Sequence, residues 1–185
     1  MAFDAVLYFS RESGQGGIKV KGESKLIEDG IALTDEWSFS LENKLNITQH
    51  TGGAGSGKAE FEAFTIKKQV DTASPNLLVA CGSGAHFHGV ELHIYKAGGK
   101  KEDATSNLYL VWSFNQLVVE KVEWSFGDPA PEETVTFKFA TCYVCYGKQD
   151  ASGAIKKAAA NGWNQISNTN NVRQSIDGAA DPKQI

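Results

Sequence analysis

The chain has 185 residues, with 18 Lys+Arg against 22 Asp+Glu and a formal net charge of −4. That length suits one domain with a core large enough to fold without metal or disulfide. The acidic balance argues against a general binder of nucleic acid or anionic membranes. No apolar run reaches the ~18–20 residues of a membrane span, and residues 1–10 lack the basic and long apolar regions of a secretory signal. The cysteines, Cys81, Cys142 and Cys145, are few and odd in number, which points to free thiols in a reducing compartment.

Taken in chain order, Phe3–Phe9 is apolar on both faces. It is expected as a strand covered on both sides, by a partner sheet and by a helix or another subunit. Within residues 36–42, Trp37, Phe39 and Leu41 alternate with Ser38, Ser40 and Glu42, the period of a half-buried strand. A glycine-rich turn fills 52–57. Thr72-Ala73-Ser74-Pro75 then opens the one clear helix, about residues 75–82, with Ser74 as N-cap and Pro75 in its first turn. Gly82 and Gly84 supply its stop. Residues 108–114 are again apolar on both faces. Val118, Val122, Trp124 and Phe126 are expected on one face of the next strand, with Glu120 among them, and Lys121, Glu123 and Ser125 on the other. Val135, Phe137 and Phe139 alternate with Thr134, Thr136 and Lys138. Residues 155–161 read as a weak helical turn, and residues 168–185 as a polar, frayed end. The expected class is mainly β, an antiparallel two-sheet barrel or sandwich with one short helix.

Several motifs suggest chemistry, and each has a plainer reading. Residues 52–59 nearly spell a phosphate-binding loop, but Ala59 replaces the hydroxyl that holds magnesium and a strand pattern follows. His86-Phe87-His88 places two imidazoles on one strand face, as in cupin-like metal barrels, with Glu91 and His50 as the remaining candidate ligands. Glu91 has the wrong parity for that face, so the pair reads as ordinary surface histidines. Cys142-Tyr143-Val144-Cys145 closes a strand instead of opening a helix, so its thiols face opposite sides. The acidic pairs Glu60/Glu62 and Glu132/Glu133 read as solvated faces. Trp37, Trp112, Trp124 and Trp163 offer a carbohydrate platform, but three lie in alternating strands and read as core. A cupin-like metalloenzyme and a monomeric carbohydrate-binding sandwich are the alternatives these motifs leave.

Lys21-Gly22-Glu23-Ser24, Glu36-Trp37-Ser38-Phe39-Ser40, residues 55–61, Asp71 to Leu77 with Ala80-Cys81, Glu91-Leu92 through Gly99, residues 132–139, and Gly162-Trp163-Asn164 occur in this order. In order and spacing they resemble the haemolysin-coregulated protein (Hcp) family of the bacterial type VI secretion system, over about residues 1–168. Residues 149–153 are similar to its closing hairpin. The segment 25–35 departs from the family pattern, and 169–185 stand as a polar tail without a counterpart. The resemblance implies a two-sheet β-barrel with one helix and no cofactor or catalysis. It implies six-membered rings that stack into the inner tube of a contractile machine. The implied partners are a valine-glycine-repeat spike protein, a contractile sheath and small secreted effectors in the lumen, with no nucleic acid and no membrane insertion. It also implies synthesis in the bacterial cytoplasm and export through that apparatus without a signal peptide. The loops holding Glu23, Ser24 and Lys25, and Leu45, Ile47, Gly55 and Gly57, are expected to take part in assembly.

Overall fold

A computed structural model describes residues 3–9, 17–34, 36–44, 57–96, 107–151, 154–170 and 172. The strands are β1 (Phe3–Phe9), β2 (Ile31–Ala32), β3 (Trp37–Ser38), β4 (Leu41–Asn43), β5 (Ala59–Phe61), β6 (Phe64–Gln69), β7 (His86–Phe87), β8 (Val90–Lys96), β9 (Leu108–Asn115), β10 (Leu117–Ser125), β11 (Glu132–Lys138), β12 (Thr141–Gln149) and β13 (Ile155–Asn164). The helix α1 spans Ser74–Ser83. Sheet A has the order β13-β12-β9-β8-β1-β2 and sheet B the order β3-β6-β11-β10-β7, with β4 and β5 forming a separate ribbon. Every pairing is antiparallel. Among the described residues no helix is long and apolar enough to cross a membrane.

The core lies between the two inner faces. Leu7, Leu92 and Phe114 come from sheet A, and Phe64, Ile66 and Phe137 from sheet B, all of them fully buried. Phe39 sits edge-on to Phe64, Trp112 and Phe114 at ring separations of 4.8–5.6 Å. The helix packs on β10 and adds Leu77 and Ala80 to the same core. It ends where Gly84 takes φ 64°, a left-handed position that glycine fills without steric cost.

The structure corrects several expectations. The run 36–42 is not one strand: Trp37 pairs with β6 in sheet B, while Leu41 leaves to pair with Phe61 in the ribbon and stays 51% exposed. In β10 a register shift between Val119 and Lys121 reverses the parity, so Leu117 and Val119 face the core instead of Val118. Residues 155–161 are strand, not helical turn. Nine cross-strand partners on β12 outweigh the helix preference of Lys156-Lys157-Ala158-Ala159-Ala160. The N-cap is Ala73, with no side-chain cap from Ser74. Asp71 Oδ1 accepts from the Ala73 N–H instead, at 2.9 Å. The second face of β1 and β9 is not packed by the helix, which lies on β10. A loop packs there, through Ile27 on Val6, Tyr95, Leu108 and Val111.

Candidate assembly surface

The first expected assembly loop is a compact flap. Gly22 and Ser24 donate backbone hydrogen bonds to the carbonyls of Asp29 and Gly30, at 2.9 and 2.8 Å. Lys21 closes the base on Asp29 at 2.8 Å. A Cβ on Gly22 would run into the Gly30 carbonyl, so the two arms require glycine there to approach this closely. The flap is tied to the start of α1: Thr72 donates its N–H to Glu23 Oε1 at 3.2 Å and its hydroxyl to the Lys21 carbonyl at 3.0 Å. Glu23 and Lys25 are exposed, and Ser24 is half-buried with its Oγ accepting from the Leu26 N–H at 3.1 Å. Glu23 also lines a shallow groove of about 270 Å³ with Ala32, Leu33, Thr34, Gln69, Val70 and Asp71.

The second loop is described only at its base. Leu45, Ile47 and Gly55 lie outside the described residues. Gly57 passes so close to the Lys44 carbonyl that a Cβ would clash with it. The ribbon is held from the C-terminal side, where Gln165 Oε1 accepts from the Phe61 N–H at 3.0 Å and its Nε2 donates to the Phe139 carbonyl at 2.7 Å. Asn164 and Thr169 pair as an isolated bridge. The chain therefore stays bound to the domain at the start of the expected tail, whose residues 173–185 lie outside the described set. The two loops thus hang from separate parts of the domain.

Two buried polar clusters escaped the sequence reading. Lys68, fully buried on β6, meets Glu133 at 2.8 Å and Asp71 at 2.7 Å and donates to Ser74 Oγ at 3.0 Å. Ser74 donates in turn to Glu133 Oε2 at 2.6 Å, while Glu133 Oε1 has no partner among the described residues. Glu133 is therefore a core residue, not half of a solvated pair. Its phase with Val135 and Phe137, and that of Lys68 with Ile66 and Phe64, was the available signal. On the far face of sheet A, His93 Nε2 and Glu91 Oε2 lie 2.6 Å apart, Ser113 Oγ donates to Glu91 Oε1 at 3.4 Å and Tyr95 lies beside the other nitrogen of His93. Burial, with the nearby Glu91 charge, pushes the Tyr95 phenol up to about 12.

Neither cluster assembles a catalytic site. Glu91 turns to His93, while exposed His86 lies on β7 and His88 bonds Asn115 Oδ1 at 2.7 Å. His50 lies outside the described residues, and among those described no three His, Cys, Asp or Glu gather as metal ligands. The near phosphate loop leads into strand β5. Cys142 faces the core, Cys145 lies on the opposite side of β12, and burial raises both thiols above their ordinary range.

Residues 12–146 match the protein family described as "Type VI secretion system effector, Hcp". The chain belongs to the Hcp family. Protein hcp1 of Pseudomonas aeruginosa is 34% identical over 122 residues, 64% of this chain and 68% of that protein. A solved structure described as a type six secretion system protein has TM-score 0.75 at 25% identity, covering 91% of this chain and 99% of its own. Hcp1 from Salmonella typhimurium has TM-score 0.65 at 25% identity over the same shares. The chain is thus a type VI secretion tube protein, of a family secreted by that system, and not an enzyme.

Proposed function

We propose that this Hcp protein forms six-membered rings that stack into the inner tube of the type VI apparatus and are expelled with it. The observation that carries this is the family match over residues 12–146, joined to a fold that aligns with 99% of a type VI protein's chain. The exposed apolar side chains agree with a subunit: Phe126 is 83% exposed, and Leu78 and Val79 on α1 are each 52% exposed. In this reading a valine-glycine-repeat spike sits on the tube tip, a contractile sheath surrounds the tube, and small effectors travel in the lumen. The protein is made in the cytoplasm and leaves through the apparatus. Residues 1–168 form the ring-building domain and 169–185 a polar appendage. The flap at Glu23, Ser24 and Lys25 and the loop holding Leu45, Ile47, Gly55 and Gly57 take part in assembly. Solution mass by light scattering tests the ring: about six times 20.0 kDa is expected, and a mass of 20.0 kDa at high concentration contradicts it.

A further inference from the structure

Past the rim of sheet B, the inner face of sheet A continues onto the β12–β13 hairpin. Cys142 on β12 belongs to the core, Val144 is half-buried, and Tyr146, two residues further on the same face, is 44% exposed. Leu110, Tyr146 and Ala159 lie directly across from one another, and Trp112, Val144 and Asn161 form the neighbouring row. Ala159 and Asn161 are exposed. This apolar shelf ends in lysines. Lys148 and Lys156 face each other across the two strands, an unfavourable placement for like charges. Asp150 holds Lys156 at 3.0 Å, while Lys148 has no ion pair among the described residues. Lys96 joins the same end through Gln149 at 3.2 Å, with its Nζ 5.5 Å from the Tyr109 ring centroid.

The far end of sheet B has the opposite character. Phe126, just past β10, is the most exposed large apolar residue described, and Trp124 beside it is 38% exposed. Acids surround it. Glu123 is paired with Lys121 and Glu132 with Lys67, leaving Asp128 without an ion pair among the described residues. Among the described residues, each patch thus offers an exposed aromatic surface, with an acid lacking an ion pair, Asp128, on one and lysines lacking ion pairs, Lys148 among them, on the other.

We infer that successive copies join by seating Phe126 of one on the Leu110–Tyr146–Ala159 shelf of the next, with Asp128 meeting Lys148. The occupant of the shelf is a second copy of this chain, and the inference rests on the ring proposed above. The patches differ and lie on different sheets, so the contact is heterologous, the kind that closes rings or extends filaments. Phe126 supplies a desolvated aromatic anchor and the charges fix its register.

The test compares the full-length protein with F126D, K148E, D128K and the K148E/D128K swap by light scattering, with thermal unfolding as the check on folding. A cysteine pair, F126C/Y146C, is oxidised in parallel. The expected result is a ring for the unaltered protein, a shift toward 20.0 kDa for each single variant, and recovery of the ring in the swap. The cysteine pair should give a ladder of cross-linked subunits that neither single cysteine gives, a readout that holds even where F126D folds poorly. Rings that persist in F126D and K148E, or the absence of that ladder, overturn the docking while leaving the ring intact. A monomeric unaltered protein removes the ring itself, and the docking with it.

Discussion

Replacing Lys68 by Ala leaves the fully buried Glu133 and the partly buried Asp71 without their shared cation. Removing one partner of such a pair costs about 3–5 kcal/mol, because the remaining charge stays desolvated. The denaturant midpoint should fall accordingly, and the paired change Lys68→Met with Glu133→Leu should recover most of it. An unchanged midpoint for Lys68→Ala would contradict a buried ion pair. Tyr95 gives a pH signature. Its phenol is held at about 12 in the fold against 10.0 when free, so the native state keeps the proton more tightly than the unfolded chain. That contribution is present below pH 10 and is lost as pH rises toward about 12. Tyr95→Phe should flatten this part of the alkaline stability curve, measured by urea unfolding between those limits; an identical slope in both proteins would count against the burial. These residues also show where the sequence misleads. Glu132-Glu133 reads as a wet acidic pair because charge normally means solvent. Only the phase of Glu133 with Val135 and Phe137 hints that one of the two turns inward.

The alternation of β11 and the existence, place and end of α1 are legible from the sequence. The breaks within elements are not. In β10 one extra residue near Glu120 reverses every later side chain, and a bulge leaves no mark in a hydrophobic pattern. The Lys-Ala run of β13 follows its neighbour β12 and not its own helix preference. The flap at residues 22–30 is legible as a loop, but its anchoring on Thr72 is a long-range contact that spacing does not encode. Two glycines separate the local requirements. A Cβ on Gly22 meets the Gly30 carbonyl and the Ile31 Cα, so Gly22→Ala should destabilise by about 1–3 kcal/mol and disturb residues 23–25. Gly82 lies inside α1 with nothing within 4 Å of its position for a Cβ. Gly82→Ala should therefore raise stability by up to about 1 kcal/mol. Thermal unfolding of both variants checks the pair, and equal shifts would refute the distinction.

Among the described residues, two large sheets, a two-stranded ribbon and one helix leave apolar side chains such as Phe126, Leu78 and Val79 exposed, as a subunit's surface does. If the flap takes part in assembly, Lys25→Glu, an exposed change outside the core, should lower the assembled mass while leaving the melting temperature within about 1 kcal/mol of equivalent stability. Unaltered assembly would remove the flap from the interface. The central claim is the ring, and negative-stain electron microscopy of the purified protein, with light scattering on the same sample, tests it most directly. Six-fold rings of about six times 20.0 kDa are predicted. A uniform population of 20.0 kDa particles at high concentration would contradict the account.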